Sequence, residues 1–123
     1  MHRISYDRNV FVVEILGVAS FDDVIAAIKD AFSQPNYFEK NNIFVFPSEF
    51  IEVKANELEM VTQFILKNIQ TNLVTIKSAV VVPPGFNMAI VELWATAADR
   101  LPYDLKIFSD LKFAEDWTAD PGD

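Results

Sequence analysis

Asn41-Asn42-Ile43-Phe44-Val45-Phe46-Pro47-Ser48 and Ala79-Val80-Val81-Val82-Pro83-Pro84-Gly85 decide the fold. Each holds four apolar residues in a row and stops at proline. A half-wet strand alternates apolar and polar side chains, whereas an uninterrupted run of this length fits a strand covered on both faces, as in a parallel sheet with helices on either side. The two runs are therefore expected to be adjacent, parallel, nearly fully buried central strands.

The rest of the chain supplies what such strands need. Ile4-Ser5-Tyr6-Asp7 alternates, Asp7-Arg8-Asn9 interrupts it with turn-prone residues, and residues 10–16 are rich in β-branched and aromatic side chains, so a hairpin is expected. In its second strand Phe11, Val13 and Ile15 share one face, and Val10, Val12, Glu14 and Leu16 the other. Gly17 closes it. Ser20 is a good helix N-cap, with Asp22 and Asp23 where the helix dipole favours anions. Phe21, Val24, Ile25, Ile28 and Phe32 follow as one helical stripe that ends before Pro35. Asn56-Glu57-Leu58-Glu59 resembles a capping box led by Asn56, with a stripe of Leu58, Val61, Ile65, Ile69 and Leu73 widened by Met60 and Phe64. Residues 86–99 have helical length and are apolar almost all round; Pro102 stops them. Leu105-Lys106-Ile107-Phe108 is a further strand, and Ser109 or Asp110 can cap a last helix carrying Leu111, Phe113, Ala114 and Trp117.

The order β-β-α-β-α-β-α-β-α predicts an α/β sandwich around a mostly parallel, five-stranded mixed sheet, with the first hairpin strand as an antiparallel edge. One domain is expected over residues 1–118, with a short polar tail at 119–123.

The inventory excludes much chemistry. Hydrophobic residues make up 51% of the 123, enough for an ordinary core, and 10 basic against 18 acidic residues leave a net charge of −8, which disfavours nucleic acid as a partner. There is no Cys, and His2 is the single His, so thiol chemistry, Ser-His-Asp catalysis and metal sites built on several imidazoles cannot be written. The three glycines, Gly17, Gly85 and Gly122, never share a loop, which removes phosphate-binding and dinucleotide loops. No signal peptide or transmembrane stretch is legible, so a cytoplasmic location is expected. Glu14 is expected at a solvent-facing edge position, and Glu92 facing water or pairing with Arg100. Asp22, Asp23, Glu49, Glu52, Glu57 and Glu59 read as a solvated face, since no calcium-loop spacing is present.

Three stretches carry a resemblance: Lys77-Ser78-Ala79-Val80-Val81-Val82, then Gly85-Phe86-Asn87-Met88-Ala89, then the closing Ile107-Phe108-Ser109-Asp110-Leu111-Lys112-Phe113-Ala114-Glu115-Asp116-Trp117. Together with the first strand pair, Gly17 and the helix after Ser20, they resemble the SpoIIAA-like proteins of the bacterial STAS superfamily over nearly the whole chain. The resemblance implies a mixed five-stranded sheet with helices, no established activity, and a role as an interaction or regulatory module. Relatives that act as phospho-switches carry Asp-Ser-Ser-Gly after the third strand; this chain has Phe46-Pro47-Ser48-Glu49-Phe50. Ser48 is thus expected to be a turn residue rather than a phosphoacceptor.

A non-enzymatic module with no cofactor and no metal is the expectation, its partner being a protein or a second copy of the chain. The other reading is a carrier or sensor of a small apolar, lipid-like ligand. Either would use the apolar helix of residues 86–98. Phe86, Ile90, Leu93 and Ala97 suffice to cover the sheet, leaving Trp94 and Val91 to one side. Phe86, Met88, Val91 and Trp94, with Phe50 and Ile51 at the mouth, are the candidate ligand or subunit contacts.

Overall fold

A computed structural model describes residues 2–16, 20–46, 55–68, 76–82 and 104–119. Five strands form one sheet: β1 (His2–Asp7), β2 (Val10–Ile15), β3 (Asn41–Val45), β4 (Lys77–Val81) and β5 (Asp104–Phe108). They lie side by side in chain order, β1 antiparallel to β2 and every later pair parallel. Among the described residues three α-helices accompany them: α1 (Phe21–Phe32), α2 (Ala55–Asn68) and α3 (Leu111–Ala119). The chain is an α/β protein with a mixed five-stranded sheet, as the strand runs required. The helix expected over residues 86–99 lies outside the described residues.

β3 and β4 are parallel neighbours in the register Ile43↔Ala79, Phe44↔Val80, Val45↔Val81. Ile43, Ala79, Val80 and Val81 are buried. Phe44 and Val45 are only half-buried, a correction to the expectation of near-complete burial: each packs on the margin of one of the two cores that flank the sheet. Strand β3 also starts earlier than its apolar run, at Asn41. Two asparagines enter the ladder because their side chains are satisfied: Ser78 Oγ donates to Asn42 Oδ1 at 2.6 Å in the interior, and Asn41 bonds beyond the strand, as described below.

The pleat sorts the sheet into two faces. Phe11, Val13 and Ile15 of β2, Phe46 and Val80 face α1 and α2, in a core that includes Val24, Ile28, Val61 and Ile65. Ala27 and Ala31, both fully buried, keep the α1 face short enough for close approach to the sheet. Phe32 stacks on Phe64 at 6.5 Å to join the two helices. On the other face Val10, Ile43, Ala79 and Val81 meet Ala114 of α3, with Val12, Val45, Phe108 and Trp117 at the margin.

Three helix expectations are corrected. Met60 is 53% exposed rather than part of the α2 stripe, because Val61 and Ile65 already face the core. Asn56 lies inside α2, which begins at Ala55, so it does not lead a cap there. On α3, Leu111 and Phe113 are exposed (40% and 65%), and the inward stripe is Ala114, Trp117 and Thr118 at i, i+3, i+4. Asp110 precedes α3, its Oδ1 accepting from the Lys112 N–H at 2.7 Å.

The N-terminus of α1 is closed as its sequence suggests. The Asp23 N–H donates to Ser20 Oγ, and Asp23 Oδ2 accepts from the Ser20 N–H at 2.9 Å and from its hydroxyl at 3.0 Å, so each end of the box satisfies the other. The Ser20 N–H holds the Asp23 carboxyl below the usual carboxylate range, and the Ser20 hydroxyl adds to the effect. A carboxyl depressed on folding stabilises the folded state fully above its unfolded value, about 4, and loses that contribution as pH falls through the folded value. Ser20→Ala is expected to cost about 1 kcal/mol at neutral pH in a urea melt. The gap in stability between the native chain and Asp23→Ala should close as pH drops below about 4; a gap unchanged with pH would refute the role given to this carboxylate.

Candidate functional site

Every contact residue proposed from sequence, Phe50, Ile51, Phe86, Met88, Val91 and Trp94, lies outside the described residues, as do Ser48 and Glu92. Chain order alone says where those segments attach. Ser48, Phe50 and Ile51 follow the end of β3, and Phe86 to Trp94 follow the end of β4. Glu14 is described, and it differs from the expectation: it is half-buried and accepts from Arg3, directly across the hairpin, at 2.9 Å from Nη2 and 3.3 Å from Nε. Among the described residues, no group of three or more acidic or imidazole side chains is placed to hold a metal ion.

The site that the described residues build lies on the α3 face. Helix α3 packs over β3, β4 and β5, and among the described residues no element packs on the β1–β2 side of that face to the same extent. Between helix and hairpin runs a groove of about 470 Å³. Its floor is Val10 and Val12 of β2 and Ile43 of β3. One wall is α3, which presents Lys112, Glu115, Asp116 and Ala119; the other is the hairpin turn, with Asp7 and Arg8. The floor is apolar because Val10 and Val12 alternate onto this face while Phe11 and Val13 go to the other core. The rim carries both signs of charge: Asp7, Glu115 and Asp116 against Arg8 and Lys112.

Polar side chains lock the α3 wall to the sheet at the groove's end. Asn41, at the start of β3, donates from Nδ2 to the Thr118 carbonyl at 2.7 Å and accepts the Lys77 backbone N–H at Oδ1 at 2.9 Å. One carboxamide thus ties the last turn of α3 to β3 and to the first residue of β4. Thr118 is buried and returns its hydroxyl to the Ala114 carbonyl at 2.9 Å. On the far side of α3, Trp117 tilts against Phe108 at 5.7 Å, with the ammonium groups of Lys77 and Lys106 at 5.5 and 5.7 Å from its ring. A quadrupolar ring attracts cations over its face, so these contacts hold the helix from the β5 side.

A smaller pocket of about 290 Å³ lies at the same end of the sheet, lined by Tyr6, Phe11, Pro35, Asn36 and Lys40. Tyr6 and Phe11 are in ring contact at 4.7 Å, and Phe11 meets Tyr37 at 5.3 Å, so the pocket backs onto the α1 core.

No family model, curated protein or solved structure matches the chain. The groove therefore stands on its own geometry.

Sequence reading did not find it. The signal was partly present: Lys112, Glu115, Asp116 and Ala119 recur at i, i+3, i+4, i+7, a second stripe of α3 distinct from its core stripe. Nothing in the spacing says that this stripe borders β2, since that neighbourhood arises only when α3 crosses back over the sheet. No helix among the described residues is long and apolar enough to cross a membrane.

Proposed function

We propose that the protein is a non-enzymatic binding module of the SpoIIAA-like type, working in the bacterial cytoplasm, that docks a short amphipathic segment of a partner protein in the groove between α3 and the β1–β2 hairpin. The observation that carries this reading is the groove's composition: an apolar floor of Val10, Val12 and Ile43 between walls of mixed charge. Val12, the half-buried residue of that floor, offers apolar surface that a docked segment removes from water, and opposite charges at known positions along the rim select register and orientation more than they add affinity. The walls are well held, one by the Asn41 clamp and the other by a hairpin, so little ordering is needed when a segment enters.

Peptides selected from a displayed random library on the immobilised protein test the reading. Binders are expected to combine apolar anchors with charges of both signs. The paired reversals Lys112→Glu and Asp116→Lys, both on exposed positions, should weaken such peptides about tenfold without altering the melt. Selected peptides whose affinity ignores both reversals would place the binding surface elsewhere.

A further inference from the structure

Among the described residues, β1 forms an edge of the sheet and pairs with β2 alone. The loop between them is two residues, Arg8 and Asn9, both at positive φ (54° and 65°), closing on the pair Asp7 and Val10. Such a loop closes on a pair that exchanges both backbone hydrogen bonds, and an antiparallel ladder alternates from there. The N–H and C=O groups of Arg3, Ser5 and Asp7 thus face β2, and those of Ile4 and Tyr6 face the open edge. We propose that this edge takes a second copy of the chain, β1 running antiparallel to β1 of the other subunit about a two-fold axis at Ser5.

Charge chooses the register. Centred on Ser5, Ile4 meets the partner's Tyr6 and Tyr6 meets the partner's Ile4, both with outward backbone groups, so four backbone hydrogen bonds form. Arg3 then faces the partner's Asp7, and Asp7 faces the partner's Arg3, at the non-hydrogen-bonded positions where facing Cα atoms are closest, about 4.5 Å. Centring on Ile4 or on Tyr6 leaves Arg3 and Asp7 opposite side chains that carry no charge. Only one register makes two ion pairs. Arg3 already holds Glu14, but a guanidinium has five N–H donors and can serve a second carboxylate. Asp7 has no ion-pair partner among the described residues. Tyr6, 49% exposed in the single chain, gains a cross-strand neighbour in the partner's Ile4.

The joined sheet has ten strands, and the two α3-side grooves open onto a shared floor of β2, β1 and their two counterparts, about 19 Å across. The pairing does not rest on those grooves being docking sites.

Two charge-reversed chains test the proposal: Asp7→Lys, which sets two cations face to face across the axis, and Arg3→Glu, which sets two carboxylates face to face. Native mass spectrometry and sedimentation velocity of the full chain should show a dimer for the native sequence. Each reversed chain alone should self-associate at least about tenfold more weakly, and an equal mixture of the two should form a heterodimer, because every facing pair is then opposite in sign. Far-UV circular dichroism of each variant checks that the fold is kept. A monomeric native chain, reversed chains that dimerise as before, or a mixture that stays monomeric would each overturn the proposal.

Discussion

Ile43→Ala is expected to lower the stability of the protein by about 3–4 kcal/mol, in the range measured for burying an alanine where a large aliphatic side chain stood. Ile43 is 1% exposed, sits on the middle strand of five, and is packed with Val10, Ala79, Val81 and Ala114 between sheet and α3. A cavity there is flanked by backbone on both sides, so the neighbours cannot collapse into it. Phe113→Ala removes a larger side chain yet should cost less than about 0.5 kcal/mol, because Phe113 is 65% exposed and lies off the inward stripe of α3. Urea denaturation of both variants decides the matter. Equal losses would mean that α3 is rotated relative to the arrangement given above.

The second large effect belongs to Asn41. Asn41→Ala leaves the half-buried Lys77 N–H without its acceptor and the Thr118 carbonyl without its donor, which should cost about 2 kcal/mol. Asn41→Asp is the informative companion. It keeps an oxygen for the Lys77 N–H, but it turns a second acceptor toward a carbonyl that now sits at 2.7 Å from a donor. Aspartate should therefore fail to rescue, and hydrogen exchange at the amides of Thr118 and Ala119 should rise in both variants. Full stability in the aspartate variant would show that the bond to α3 contributes little. The last turn of α3 is one end of the groove wall, so this clamp links the fold's stability to the shape of the site.

Much of this architecture is legible in the residues, and the reasons for what is not are physical. A short unbroken apolar run that stops at proline, such as Ala79-Val80-Val81-Val82, fits a strand covered on both faces, and period-two alternation in β2 sorted Phe11, Val13 and Ile15 from Val10 and Val12 correctly. Ser20 and Asp23 announce a helix start because capping is local chemistry. Burial on a short helix is not local. Leu111 and Phe113 look inward by hydrophobicity, but α3 turns Ala114 and Thr118 to the middle of the sheet, with Trp117 reaching past them to Phe108 at the margin. Asn41 and Asn42 precede the apolar run, and the partners Lys77, Ser78 and Thr118 explain their place in β3. The groove escaped for the same reason: its floor and its wall come from opposite ends of the chain.

Amide NMR mapping of a selected peptide on the labelled protein locates the docking surface residue by residue. The largest shift changes are expected to cluster on Val10, Val12, Ile43, Lys112, Glu115 and Asp116, the floor and wall of the α3-side groove. Changes centred on α1 and α2, or on residues 86–94, would contradict that placement.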